Sequence, residues 1–386
     1  MTIELPQELI DTILDDLAAD PDSSSCIKTC ALVCSAWVPR SRLRLFNTCL
    51  LNSHTISVFS DLLRSTHCTF LPHVRNIQID FKALPSSRFS NEFALDLRSL
   101  TGVRSLEMTL EIGTVHAIGS IFFRTAFSSV TRLVLDGLIT LPSLISTLCL
   151  FPNLHSLRIH LATYRTASYA SSVATTQAAP PPALVSLALC ANSVRPILAW
   201  LHTTEHLFRI RSLKLPSLWR HEVAAVCQTL QRLGLGGTLR HLHCLDIPLT
   251  WLLPSPSESL PLFDLSFYPS LHTLVLRDSA YPDDMLRCIT QLAAPSLECL
   301  IFDLDIPSYR CFNWAALDDF LDRYSRFQDL RSVVFIQFTN YTDPAEDKFL
   351  RDVLPLLAAS GVMRTKWLRK FENFSIDIME RVADAA

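Results

Sequence analysis

The stretch Tyr268-Pro269-Ser270-Leu271-His272-Thr273-Leu274-Val275-Leu276 carries the pattern that decides the fold. An aliphatic anchor is followed by two variable residues, a second aliphatic residue, one variable residue and a third apolar residue. Apolar residues that alternate in this way predict a short strand with one buried face.

The same cassette recurs along most of the chain. Its anchors lie roughly 24 to 33 residues apart, a period in the range of leucine-rich repeats. They are Val74, Val103, Val130, Leu154, Leu184, Ile210, Leu242, Leu271, Leu297 and Leu330.

Apolar runs of helical spacing lie between the cassettes, such as Ile197, Leu198 and Leu201. Each unit is therefore expected to be strand, loop, helix and loop, and it can bury its apolar face only by stacking on its neighbours. The repeats predict a curved solenoid with a parallel sheet on the inner, concave face. A generic α/β domain with a parallel sheet is the alternative.

Three segments depart from this rhythm. Residues 162–182 and Pro254 to Pro261 have the composition of loops. Near the end, Asp343-Pro344 predicts the start of a helix that runs to about Ala359 and stops at Gly361. Trp367 to Phe374 could then add a final strand, and the last dozen residues are expected to be disordered.

The N-terminal segment has a different pattern, that of three short helices. Leu5-Pro6 suits a helix start, and apolar residues at Leu9, Ile10, Ile13, Leu14 and Leu17 form one broad stripe. A second helix would carry Cys26, Ile27, Cys30, Ala31 and Val33, and a third would run from about Ser35 to Phe46, with its start limited by Pro39. Three helices in about forty residues cannot bury all this apolar surface among themselves, so a partner is expected.

These residues resemble the F-box family. The matching residues are Leu-Pro-x-Glu-Leu at Leu5 to Leu9, the apolar residues Ile13, Leu14 and Leu17, and Leu32-Val33-Cys34-x-x-Trp37. The resemblance implies a face that docks onto a Skp1-type adaptor and, through it, a cullin-RING ligase. The adaptor-binding or supporting residues would be Leu5, Pro6, Leu9, Ile13, Leu14, Leu32, Val33 and Trp37. An unrelated helical cap is the alternative.

The repeats in turn resemble the leucine-rich repeats often found behind an F-box. The asparagine expected three residues after the last apolar position is present at Asn192 but mostly absent elsewhere. The fold class expected is α plus α/β, with a three-helix F-box at residues 1–50, a repeat solenoid at 51–341 and a C-terminal helix and capping segment at 342–386.

Together the two resemblances imply a non-catalytic substrate-recognition subunit of a Skp1-cullin-F-box ubiquitin ligase. The alternative is an interaction scaffold not coupled to ubiquitination. A protein substrate would contact the outward residues of the strands, and the candidates are Arg158, Lys214, Val275, Arg277, Ile301 and Val334. Apolar positions expected to be exposed beside charges favour a protein partner over a polyanion.

Composition limits the other classes of function. The chain has 386 residues, 49% of them hydrophobic, and a net charge of -3, which gives no basic field for a nucleic-acid backbone. No apolar window reaches the roughly 20 residues of a membrane span, and the N-terminus lacks signal-peptide features. We expect a soluble protein of the cytoplasm or nucleus, with its 12 cysteines reduced and with no cofactor.

Three constellations could indicate metal chemistry. His202-Thr-Thr-Glu205-His206 has the spacing of inverted zinc peptidases, and this zinc-hydrolase alternative predicts stoichiometric metal. His241 and His243 lie on the opposite strand face from Cys244, while Cys26, Cys30 and Cys34 have the spacing of core packing. No phosphate loop, nucleophile elbow or triad is found, so we expect no enzyme.

Overall fold

The structure is a computed structural model that describes residues 5–18, 24–66, 68–81, 96–110, 127–137, 141–160, 178–218, 220–248, 265–277, 283–290, 294, 296–323, 329–338 and 344–368. The predicted loop at 254–261, the last dozen residues and most of the predicted insertion at 162–182 lie outside these ranges. The chain forms two compact units, Met1–Leu184 and Val185–Ala386.

The first unit begins with three helices that pack against one another: α1 (Gln7–Ala18), α2 (Ser24–Cys30) and α3 (Val38–Phe46). Ile10 and Leu14 of α1 and Ile27 of α2 are buried. Helix α3 begins at Val38 with Pro39 in its first turn, where proline gives up no helical hydrogen bond. The limit that Pro39 sets on this helix is therefore confirmed.

The described part of the first unit continues with five parallel strands, each hydrogen-bonded to the next in chain order. They are β1 (Thr48–Leu51), β2 (Asn76–Asp80), β3 (Ser105–Leu110), β4 (Arg132–Gly137) and β5 (Ser156–His160), with helices α4 (Ile56–Arg64) and α5 (Leu141–Leu148) between strands. The second apolar position of each cassette forms one buried column across β2 to β5, namely Ile77, Leu106, Leu133 and Leu157. The cassette and its register are confirmed here.

Strand β1 was not expected from the cassette pattern. Cys49 lies opposite Ile77 and Leu51 opposite Ile79, so the segment after α3 already belongs to the sheet. The domain boundary predicted near residue 50 falls inside this strand. The predicted domain boundaries themselves stay predictions.

In its described residues, the second unit contains seven parallel strands in chain order. They are β6 (Ser186–Ala188), β7 (Ser212–Lys214), β8 (Cys244–Pro248), β9 (Thr273–Arg277), β10 (Cys299–Asp303), β11 (Ser332–Phe338) and β12 (Met363–Leu368). Its helices are α6 (Val194–Thr203), α7 (Arg220–Leu235), α8 (Asp283–Thr290), α9 (Trp314–Arg323), α10 (Pro344–Val353) and α11 (Pro355–Ser360). The equivalent buried column within this unit consists of Leu187, Leu213, Leu245, Leu274, Leu300 and Val333. Both units are repeat arrays, and the predicted curvature stays a prediction.

A shared carbonyl fixes the entry of each strand from β7 to β11 in the second unit. The Arg211 carbonyl accepts the N–H groups of both His243 and Cys244, at 2.8 and 3.0 Å. The His243 carbonyl accepts those of His272 and Thr273, at 3.0 and 2.9 Å. One oxygen thus satisfies two backbone donors at each step, so the register does not depend on an asparagine in every repeat.

The C-terminal elements differ from the prediction. Proline 355 divides the single helix expected from residue 343 to about 359 into α10 and α11, because its ring cannot continue a helix at that point. The Asp318 carboxylate caps the new helix start by accepting the N–H groups of Leu356 and Leu357, at 2.8 and 2.9 Å. Gly361 ends α11 at φ +72°, and the last strand follows at once as Met363–Leu368 rather than beginning at Trp367.

Candidate functional site

Helix α1 presents apolar side chains on two faces. Ile10 and Leu14, four residues apart, are buried against the other helices, whereas Leu9 and Ile13, with the same spacing, are exposed. Leu5, just before the helix, is also exposed. The block therefore buries one apolar face and leaves a second one uncovered within the described residues.

The turn after α2 adds to this surface. Leu32 is 86% exposed and Val33 is exposed beside it, while Trp37 is half-buried. The Gln7 side chain donates a hydrogen bond from Nε2 to the Ala36 carbonyl at 3.3 Å, which holds this turn next to the start of α1. We refer to Leu5, Leu9, Ile13, Leu32 and Val33 as the N-terminal apolar face.

The structure sorts the predicted adaptor residues by exposure. Pro6 and the five residues of the N-terminal apolar face are exposed, and Trp37 is partly so. Leu14 is fully buried, so it can only support such a surface from below. Binding of an adaptor by these residues stays a prediction.

Ion pairs hold α1 against α3 behind this face. The Asp15 carboxylate accepts hydrogen bonds from Arg40 and Arg44, with Nε to Oδ1 distances of 2.7 Å in both cases. Hydrogen bonds from Arg40 and then Arg44 hold the pKa of Asp15 well below its usual range, against a smaller opposing effect of burial. The angle at which α1 presents Leu9 and Ile13 is therefore fixed by charge as well as by packing.

The outward residues of the strands in the second unit are buried, although the sequence predicted that they are exposed. Val275 and Ile301 are 0% exposed and Val334 is 2% exposed, and they pack in one buried cluster with Cys299 and Ile336. The prediction that these positions are exposed is wrong, because strand alternation tells which face a side chain occupies but not whether that face is covered. The substrate-binding role assigned to Val275, Ile301 and Val334 is untested and has lost the exposure on which it was based.

The two predicted cationic contacts of this sheet share a carboxylate. Lys214 Nζ lies 2.8 Å from Oδ2 of Asp246, and Arg277 Nε lies 2.5 Å from its Oδ1. Asp246 is 2% exposed, and Arg277 also donates to the Leu215 carbonyl. These three residues bridge β7, β8 and β9, so Lys214 and Arg277 have a structural role that the sequence did not reveal.

The strands of the first unit also carry polar side chains that contact one another from strand to strand. Gln78 Nε2 donates to Glu107 Oε2 at 3.0 Å across β2 and β3, and Arg158 at the end of the row is mostly buried. A substrate contact by Arg158 stays a prediction.

The candidate metal residues do not form a ligand cluster. In the part of the chain that the structure describes, no group of three or more His, Cys, Asp or Glu side chains could hold a metal ion. His202, in the last turn of α6, and Glu205, two residues after that helix, are exposed, while His206 is buried. His243 packs against His272, with ring centroids 5.3 Å apart, and the sequence did not predict this contact. Their common position, one residue after the cassette anchor, was the available signal.

Each cysteine whose side chain the structure describes is a free thiol. Burial raises the pKa of Cys227 to about 12 and that of Cys299 to about 11, so these two thiols are poor nucleophiles near neutral pH. Within the described ranges, no helix has both the length and the apolar character needed to cross a membrane.

Comparisons with known proteins give no family. No protein-family description matches the sequence, and no curated protein matches it. A crystal structure of the yeast Rad7 and Elc1 complex is similar at 16% identity and a TM-score of 0.43, over 90% of this chain and 85% of that one. A crystal structure of a Bacteroides fragilis protein is similar at 16% identity and a TM-score of 0.34, over 83% and 73%. Both likenesses are distant, and neither bears on the function of this chain.

Proposed function

We propose that this chain is a non-catalytic substrate-recognition subunit of a Skp1-cullin-F-box ubiquitin ligase. In this proposal the N-terminal apolar face binds a Skp1-type adaptor, and the repeat array binds a protein substrate. The ligase catalyses ubiquitin transfer, and this chain holds the substrate nearby at a high effective concentration. The chain itself is not an enzyme.

The observation that supports the proposal is the N-terminal apolar face, which is uncovered on α1 and on the turn after α2. An exposed apolar patch on a small helical block is typical of a protein-interaction surface. Leu9 and Ile13 have the i, i+4 spacing with which one helix enters an apolar groove of a partner. The F-box resemblance rests on these same residues, so sequence and exposure favour the same face.

The expected energy follows from the area that docking would cover. Burying the exposed parts of Leu9 and Ile13 should contribute about 1 kcal/mol each. Their replacement by aspartate should therefore weaken adaptor binding by at least about 2 kcal/mol, which is roughly 30-fold.

The test uses purified full-length chain and a purified Skp1-type adaptor, with affinity measured by calorimetry. Wild type should bind, and the double variant Leu9→Asp/Ile13→Asp should bind at least about 30-fold more weakly. The matched control is Val58→Asp/Leu62→Asp, which changes two exposed apolar residues of α4 with the same spacing and should bind like wild type. If folded wild type does not bind the adaptor, the proposal is wrong.

A second experiment separates a ligase subunit from an interaction scaffold. Ubiquitin transfer to co-purified partners is compared between wild type and a variant altered at Leu5, Pro6 and Leu9. Loss of ubiquitin transfer in the variant supports the ligase function. Equal transfer by wild type and variant would contradict the ligase function and favour the interaction scaffold.

A further inference from the structure

One row of charged and titratable side chains crosses the second sheet at the entry of its strands. It consists of Arg211, His243, His272, Glu298 and Arg331, each one residue after a cassette anchor. The backbone fixes their order, since the N–H of each of the last four donates to the carbonyl of the preceding member at 2.8 to 3.0 Å. Because neighbouring strands lie about 4.8 Å apart, adjacent members of this rim row are side by side.

Positive and titratable groups gather at one end of the rim row. The His243 and His272 rings meet edge to face, and Arg211 is exposed on the other side of His243. Arg240 Nε donates a hydrogen bond to His241 Nε2 at 3.1 Å, so this ring nitrogen is already used as an acceptor. None of the ion pairs found among the described residues uses Arg211 or Arg240.

The protonation of His243 responds to these neighbours. Burial lowers its pKa, and the nearby His272, Arg211 and His241 lower it further. The neutral form of His243 is therefore favoured in the free protein, and an anion placed beside it would favour the protonated ring and raise its pKa.

We propose that Arg211, His243 and His272 form a pH-dependent binding site for a phosphate-class dianion. The Arg211 guanidinium offers a fork of N–H donors, the His243 ring adds a charged donor once protonated, and the His272 ring beside it offers a further N–H. The site lies in the second unit and does not involve the N-terminal apolar face, so it stands or falls independently of adaptor binding.

The rest of the surface favours a single anionic group over a polyanion. Glu298 follows His272 directly in the rim row and pairs with Arg331 at 3.8 Å. A nucleic-acid backbone running along the row would meet this carboxylate, and the net charge of -3 provides no wider basic field.

The first experiment titrates sulfate into the full-length chain and follows the histidine ring protons by NMR. Sulfate remains a dianion from pH 8 to 6, whereas phosphate groups take up a proton within or close to this range. The pH dependence of sulfate binding therefore reports the charge of the protein alone. Assignments come from the variants His243→Gln and His272→Gln. Both resonances should shift on binding, and the affinity should rise about 10-fold or more between pH 8 and 6.

Two arginine variants test where the anion binds. Arg211→Gln should weaken sulfate binding about 10-fold, the value of one charged hydrogen bond. Arg331→Gln, at the opposite end of the same row, should change it less than about 2-fold. The proposal is overturned if neither histidine shifts, if binding is independent of pH, or if both arginine variants weaken it equally.

A second experiment identifies the source of the anion. Inorganic phosphate, a phosphoserine peptide and its unmodified form are compared at pH 6.5, with each phosphate affinity expressed for the dianion, because inorganic phosphate is the more protonated of the two at this pH. Stronger binding of the phosphopeptide than of inorganic phosphate, lost with Arg211→Gln, assigns the site to a phosphorylated protein, while equal affinities assign it to free phosphate. If an oligonucleotide binds more tightly than inorganic phosphate and the phosphopeptide, and if its binding depends on Arg331, the surface binds a polyanion and the proposed site is wrong.

Discussion

Replacing Asp246 with asparagine should destabilise the second unit by about 3 kcal/mol. The carboxylate is 2% exposed and lies 2.8 Å from Lys214 Nζ and 2.5 Å from Arg277 Nε. At an effective dielectric constant of about 20, each contact contributes roughly 6 kcal/mol of attraction, most of which is offset by the desolvation of the charges. Removing the acid alone loses the attraction but leaves two largely buried cations. Such losses cost about 3 to 5 kcal/mol, and we take the lower end because both cations retain some solvent contact.

The assay is equilibrium urea unfolding at pH 7, followed by the fluorescence of Trp200 and Trp314, which are buried in the second unit. The matched control is Glu298→Gln, which removes an exposed ion pair and should cost less than about 0.5 kcal/mol. A cost for Asp246→Asn as small as that of the control would refute the reasoning. Removing all three charges, with Lys214→Met, Asp246→Leu and Arg277→Met together, should cost less than removing the acid alone.

Two further predictions concern the first unit. Asp15→Asn should cost about 1 to 2 kcal/mol at pH 7, because the carboxylate bonded to Arg40 and Arg44 is still partly exposed. Folding lowers the pKa of Asp15, so the stability that this carboxylate contributes is present above its pKa in the unfolded chain, about 3.9, and is lost as the pH falls below that value. In urea unfolding from pH 8 to 3, the stability of wild type should therefore approach that of the variant only below about pH 4. Gly137→Ala should cost more than about 2 kcal/mol by urea unfolding, because at φ +104° a Cβ would lie 2.0 Å from a carbonyl oxygen of the neighbouring strand. Gly237→Ala, at φ +68° with open space around it, should cost only about 1 kcal/mol, and equal costs for the two would contradict the clash.

The repeats could be predicted from sequence because burial requires the same residues in every strand. Leu274 and Leu300, for example, are paired in register and fully buried, as the cassette predicts. Strand β1 escaped prediction because its cassette, Phe46-Asn47-Thr48-Cys49-Leu50-Leu51, has an aromatic anchor and a cysteine where the other strands have aliphatic residues. Hydrogen bonding to β2 holds this segment as a strand, which its own sequence does not predict.

The candidate sites were less predictable, because they depend on what lies above a face. Alternation placed Val275 and Ile301 correctly on the outward face but could not show that they are buried. The N-terminal apolar face was easier to identify, since Leu9 and Ile13 exceed what three short helices can cover. His243 and His272 are 29 residues apart in sequence, and only the strand pairing makes them neighbours.

The shared carbonyls at the strand entries make the second array divisible into interchangeable parts. Arg211 and His243 occupy equivalent places, and each carbonyl receives the two N–H groups that follow in the next repeat. Excising residues 212–243 would join Arg211 to Cys244 and leave the next strand with the same type of entry. An insertion of one repeat would likewise leave the flanking joints unchanged. The chain can therefore gain or lose length in whole repeats, and its sheet can widen or narrow while the remaining strands keep their register.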